Sequence, residues 1–147
     1  MKILLSMDDS KYSKIVLEKV AGRPYPPNTK VQIVSAYGTT PLLSTIEPMG
    51  VSHEYYAEVD RNALKAAKDT VENAAKILHE KNPSLAVSTT VIEGKPKSVI
   101  LEEAEAFGAD LIIVGSHGHG ILERFLLGSV SLAVALHAKC SVEIVRK

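Results

Sequence analysis

Short apolar runs alternate with longer stretches of helical periodicity along the whole chain, and this alternation constrains its fold more than any other feature. Ile3 to Met7 and Leu111 to Val114 are compact, leucine-rich or β-branched, and followed at once by Asp or Gly, as expected of central strands covered on both faces. Val31 to Tyr37, Val87 to Ile92 and Val142 to Val145 are mixed or alternating. They are expected to be less completely covered, with at least two of them at sheet edges. Leu64, Ala67, Val71, Ala74 and Leu78 recur at helical spacing, a stripe that packs one helix on a sheet. Further helices fit Tyr12 to Val20, Lys97 to Phe107 and Val130 to Ala138, and Pro96 stands where a first helical turn tolerates it. The order β-α-β-α-β-α-β-α-β predicts an α/β fold: an open, parallel, five-stranded sheet with helices on both faces. With the first and fourth strands adjacent at the middle, the simplest strand order is 3-2-1-4-5. Winding then reverses between those two strands, and ligands bind beyond the carboxyl ends of strands at such a reversal. The loops after Met7 and Val114 are therefore predicted to face one another across a crevice.

A chain of 147 residues matches one domain, 1–147, and can bury roughly two-thirds of its unfolded surface. Lys plus Arg and Asp plus Glu are both 17, so no broad positive field exists to hold nucleic acid or an anionic membrane. The lone Cys140 cannot form an internal disulfide and reads as a small apolar core residue, which fits a reducing compartment. The apolar stretch from Ile3 to Leu5 is too short for a signal-peptide core or a membrane span. These features together predict a cytoplasmic protein.

The connection from Gly38 to Ser52 is long for an uncovered loop. Its Leu42, Leu43, Ile46 and Met49 predict partial packing over the crevice or against a partner. After the fourth strand comes GSHGHGILERFLLGSVS, with Gly115, Gly118 and Gly120 at the strand end and Gly128-Ser129 opening the last helix. Glycine permits positive φ and close backbone approach, so N–H groups can turn toward a bulky anion. A helix N-terminus adds unpaired N–H groups and its positive dipole end, and the Ser129 hydroxyl adds a donor. The alternative is a loop whose glycines only satisfy turns, with Ser129 as a helix N-cap. Two other phosphate motifs fail: Gly115 and Gly120 are followed by Ile121 and Leu122 instead of Lys and Ser or Thr, and position 123 is Glu where a dinucleotide motif has its third glycine.

The full pattern Gly115-x2-Gly118-x9-Gly128-Ser129 resembles that of the ATP-binding branch of the universal stress protein family. The likeness extends to the opening strand ending in Asp8, the turn from Val91 to Pro96, the ADLIIVGSHG block and the closing SVEIVRK. It implies a Rossmann-like fold of the adenine nucleotide alpha hydrolase type. It further implies that Gly115, Gly118, Gly128, Ser129 and Val130 hold ribose and phosphates, while Met7, Asp8 and Ala36 lie near the adenine and ribose, with Val114 also among the ATP-binding residues. A magnesium ion accompanying the triphosphate is also implied, with Asp8 as one contact. Asp9 departs from the glycine common in the family and adds negative charge near the crevice. From its position at the end of a central strand, Asp8 is suited to accept from a ribose hydroxyl or an adenine amino group, and Asp9 or Ser10 is equally suited to cap the first helix.

His117 and His119 lack an evident third metal ligand and read as loop residues, and Arg124 is either a mobile cation near the β or γ phosphate or a solvated residue beside Glu123. No residue declares itself as the base or water-positioning group that fast hydrolysis needs. The expected function is thus an ATP-binding, nucleotide-dependent regulator in stress response, with no assigned catalytic residue. The alternatives are a slow ATPase or nucleotide-transfer enzyme and a non-nucleotide interaction module. A flavin protein is disfavoured, because two Phe, five Tyr and no Trp leave little to stack the ring. Val142 to Val145 is expected to be an open edge, with neither Pro nor an inward charge to block pairing, and so to form a homodimer. The alternative is a monomer guarded by Glu143, Arg146 and Lys147.

Overall fold

The computed structural model describes residues 1–38, 53–117 and 127–146. In chain order the described elements are β1 Lys2–Ser6, α1 Lys11–Ala21, β2 Lys30–Tyr37, α2 His53–Lys81, β3 Ala86–Glu93, α3 Pro96–Phe107, β4 Leu111–Gly115, α4 Ser129–His137 and β5 Ser141–Val145. The strands form one sheet of order β3-β2-β1-β4-β5, with every neighbouring pair parallel. The predicted order and its central pair are therefore observed. The two most apolar strands run side by side, Leu4 opposite Ile112 and Leu5 opposite Ile113.

Strand pleating sends alternate residues to opposite faces, and this sorts the core into two layers. Ile3, Leu5, Val31, Ile33 and Ile113 pack under α1 and α2, meeting Val16, Val20, Val71 and Leu78. Leu4, Val34, Ile112 and Val114 pack on the other face against Val99, Ile100 and Ala104 of α3 and Val134 of α4. Each fully buried aliphatic side chain of this kind stabilises the fold by roughly 1.5–3 kcal/mol. The mixed pattern at Val31 to Tyr37 belongs to a strand inside the sheet, buried at Val31, Ile33, Val34 and Ser35, while β3 and β5 are the edges.

The stripe expected from Leu64 to Leu78 lies inside a longer helix. Ala67, Val71, Ala74 and Leu78 are its buried residues, but α2 begins at His53 and runs 29 residues, about 43 Å. In the extra turns Tyr56, Val59 and Ala63 carry the stripe on at the same spacing but are only half-buried, a weaker signal than the fully packed positions from Ala67 onward. Once a helix is nucleated on its packed half, extension is inexpensive. Pro96 opens α3 as expected, and Gly108 ends it in the left-handed conformation at φ 68° and ψ 47°.

The edge strand β5 holds one correction. Glu143 turns in toward the segment that follows α1, where both its carboxylate oxygens meet Arg23 at 2.7 and 2.5 Å. The edge thus does carry an inward charge, one whose partner lies 120 residues away and is invisible to local reading. Hydrogen bonding to Arg23 holds the Glu143 carboxyl below its ordinary range, and burial opposes this only partly. A carboxyl with a depressed folded pKa adds stability above its unfolded pKa, about 4.3, and that contribution is lost as pH falls through the folded value. Both side chains are about one-third exposed, so the pair contributes about 1 kcal/mol at most. Glu143→Gln is expected to lower stability by that amount at pH 7 and to leave a shallower loss of stability below pH 4 in urea titrations. Parallel acid profiles for the two proteins would contradict this.

Candidate functional site

The reversal point of the sheet is framed by the carboxyl ends of β1 and β4. On the β1 side the buried Met7 donates its N–H to the Val34 carbonyl at 2.9 Å, extending the β1–β2 pairing one residue past the strand. Asp8 follows, half-buried. Its Oδ1 accepts from the Ser10 N–H at 3.1 Å, the Ser10 hydroxyl at 2.5 Å and the Ser13 hydroxyl at 2.6 Å. The Asp8 N–H donates in turn to Ser13 Oγ at 2.9 Å. Ser10 is the N-cap of α1, and its side chain accepts from the Ser13 N–H. Asp8 thus has a structural duty although Ser10 caps the helix. One of its oxygens is committed to the first turn of α1, while no described donor reaches Oδ2.

On the β4 side, Val114 is buried and paired with Ile144, and Gly115 lies opposite Val145. The Ser116 N–H continues this pairing to the Val145 carbonyl at 2.8 Å. Its own carbonyl accepts from the Gly128 N–H at 2.7 Å and from the Ser131 hydroxyl at 3.1 Å, which clips the start of α4 to the end of β4. The two glycines are needed here for closeness. A Cβ on Gly115 would lie 3.2 Å from the His117 carbonyl oxygen, and one on Gly128 would lie 3.1 Å from the Ser116 carbonyl oxygen. Neither has positive φ, since Gly94 and Gly108 are the described glycines that do. The reason for glycine at 115 and 128 is therefore steric approach, and the φ argument does not hold at these positions.

Gly128 is the N-cap of α4 and brings no side chain to cap it. Ser129 is the first helical residue and lies exposed, so the reading of Ser129 as N-cap is displaced by one position. The first intrahelical bond runs from the Leu132 N–H to the Gly128 carbonyl, so the N–H groups of Ser129, Val130 and Ser131 have no partner within the helix. That end carries the positive dipole and is chemically suited to an anion. His117 packs its ring 5.3 Å from that of Tyr12 and places Nδ1 3.0 Å from Ser116 Oγ, and no group of three metal-ligating side chains occurs among the described residues.

Met7, Asp8, Ala36, Val114, Gly115, Gly128, Ser129 and Val130 thus lie at the carboxyl edge of the sheet or on α4 above it. Gly118, His119, Arg124 and the segment 39–52 fall outside the described residues. Sequence reading missed Ser13, Ser116 and Ser131, each buried and each tying a wall of the crevice together. The spacing Asp8-x-Ser10-x2-Ser13 was a visible signal for the first of these. The other two are recognisable only from contacts between distant segments.

A doubly wound parallel sheet with a fixed carboxylate on one side of its reversal point and a helix N-terminus without a side-chain cap on the other defines an open α/β protein, a class whose ligands bind beyond the carboxyl ends of the strands. Comparison with known proteins supplies the family. The universal stress protein family profile matches residues 1–146, and the chain belongs to that family. The universal stress protein YxiE of Bacillus subtilis is 30% identical over 148 aligned positions, spanning 99% of this chain and 98% of that protein. Among solved structures, the hypothetical protein MJ0577 superposes with a TM-score of 0.83 at 28% identity, covering 99% of this chain and 95% of that one. An Arabidopsis thaliana universal stress protein family protein with AMP bound shares the fold at TM-score 0.69 and 18% identity, covering 100% and 92%. A universal stress protein in complex with cAMP does so at 0.65 and 23%, covering 99% and 96%. No described helix is long and apolar enough to cross a membrane.

Proposed function

We propose that this protein binds an adenine nucleotide, ATP foremost, across the loops that follow β1 and β4, and that it acts as a nucleotide-dependent regulator in stress response. The observation that supports this reading is the clip between Ser116 and Gly128, which holds the start of α4, without a side-chain cap, against the end of β4. Gly115, Gly118, Gly128, Ser129 and Val130 would hold ribose and phosphates, and Met7, Asp8 and Ala36 the nucleoside, with Val114 also lining the nucleotide. The AMP and cAMP complexes of family members support an adenine ligand. Magnesium commonly binds through one or two carboxylates together with substrate phosphates. Asp8, the half-buried carboxylate on this wall, would offer such an ion one contact, in competition with the nucleoside for its second oxygen. Residues 1–147 are read as one domain, because all five strands share one sheet. A cytoplasmic setting rests on the single thiol and the balanced charge.

Slow ATP hydrolysis or nucleotide transfer is the second reading. His117 Nδ1 is engaged with Ser116 and Asp8 Oδ1 with three donors, so neither atom stands ready as a base. The protein should carry or bind adenine nucleotide when released small molecules are identified by mass spectrometry and ATP, ADP and AMP are titrated by calorimetry. Absence of binding to all three at millimolar concentration would leave an interaction module as the function.

A homodimer through Val142 to Val145 is part of the same proposal. The strand is a sheet edge, its inward charge is neutralised within the chain by Arg23, and the neighbouring α4 exposes Leu132 and Leu136. Light scattering at micromolar concentration should give the mass of two chains. A one-chain mass would overturn this part of the proposal.

A further inference from the structure

We propose that Ser13, together with Ser10, is a positioning residue that holds the Asp8 carboxylate so that Oδ2 accepts a hydrogen bond from the nucleoside part of the ligand. The inference rests on the nucleotide reading above and deepens it.

Asp8 stands two positions before the N-cap of α1, and the capping of that helix is done by Ser10, which accepts from the Ser13 N–H. No helical N–H group therefore requires the Asp8 side chain. Ser10 and Ser13 are both buried, and their hydroxyls give their protons to a single carboxylate oxygen, Oδ1. Ser13 closes the arrangement by accepting the Asp8 main-chain N–H, so side chain and backbone of Asp8 are held by one hydroxyl group. Charge-assisted bonds of this kind are short and directional, and three of them fix the plane of the carboxylate.

An ionised carboxylate offers about four acceptor sites. Three donors occupy Oδ1, while no described donor meets Oδ2, and Asp8 is half-buried at the carboxyl end of β1. A charged oxygen partly removed from water gains from a donor on a ligand in the crevice. That donor is a neutral O–H or N–H group, because phosphate oxygens are repelled by the carboxylate and by the neighbouring Asp9. In an adenine nucleotide the groups that meet this description are the ribose hydroxyls and the exocyclic amino group. Serine hydroxyls that orient the carboxylate thus act on affinity through Asp8, without touching the ligand.

The test is a double-mutant cycle read by calorimetric titration of the full chain with ATP. Asp8→Asn is expected to weaken binding at least about tenfold and Ser13→Ala about three- to tenfold, tenfold being about 1.4 kcal/mol. In the Asp8→Asn background Ser13→Ala should add less than about twofold, since its effect passes through the carboxylate. Losses that multiply independently, or a Ser13→Ala protein that binds ATP as wild type does, would overturn the proposal. A purely structural role for Ser13 would lower thermal stability and leave that coupling absent. A readout on the unmutated chain guards against a variant that does not fold. Either 2′-deoxy-ATP or inosine triphosphate should bind at least about tenfold more weakly than ATP. The first would assign the ribose 2′-hydroxyl as the donor and the second the amino group. Equal binding of all three, with 3′-deoxy-ATP also binding as tightly as ATP, would overturn the proposal. Failure of wild type to bind ATP at all would instead sink the nucleotide reading itself.

Discussion

Ile113→Ala is expected to lower the unfolding free energy by about 2–5 kcal/mol, a large share of the roughly 5–15 kcal/mol that holds a typical domain together. Ile113 is fully buried in β4, flanked by Leu5 of β1 and Glu143 of β5, and it belongs to the layer covered by α1 and α2. Truncation removes apolar contact area and leaves a cavity that two neighbouring strands and the covering α1 prevent from collapsing. Leu136 is the control, because it is 70% exposed and Leu136→Ala should change stability by less than about 0.5 kcal/mol in the isolated chain. Urea unfolding followed by far-ultraviolet circular dichroism measures both. A loss below about 1 kcal/mol for Ile113→Ala would mean that β4 is not the rigid centre of the sheet.

The second large effect is expected at Gly128. Its φ of −71° and ψ of 159° suit any residue, so Gly128→Val meets no backbone strain. The obstacle is the Ser116 carbonyl oxygen, 3.1 Å from where the Cβ would stand, with the His117 Cα at 3.5 Å. To make room, the start of α4 and the end of β4 must part by a few tenths of an ångström, straining the 2.7 Å bond between them. Affinity for ATP should fall at least about tenfold, with Gly128→Ala intermediate because it adds no branch. Titration calorimetry on protein with an unchanged circular dichroism spectrum decides it. Wild-type affinity in Gly128→Val would show that ligand binding does not depend on the close approach of α4 to β4.

The legible parts of this molecule are those written in local periodicity. Leu64 to Leu78 announced a helix, and the compact runs at Ile3 and Leu111 announced two central strands, because burial on one stripe or on both faces leaves a pattern within a few residues. The candidate crevice followed from those strands alone, since a reversal of winding fixes where loops meet. The glycine spacing then indicated the family that the comparison established. Less was legible where a residue has two plausible jobs. Asp8, Asp9 and Ser10 are all good capping residues, and only the folded first turn shows Ser10 capping while Asp8 gathers both serine hydroxyls.

By itself, then, the sequence determined the alternation of elements, the central strands, the strand order and the family, each through signals that repeat over short distances or span one motif. Tertiary structure alone decided which oxygen of Asp8 is spent, why glycine stands at 115 and 128, and where Glu143 turns. Each of those outcomes depends on atoms brought within about 3 Å by the packing of distant segments, as Arg23 meets Glu143 across 120 residues. Hydrogen bonding and steric contact act through space at that range, and a linear sequence carries no record of which segments will share it.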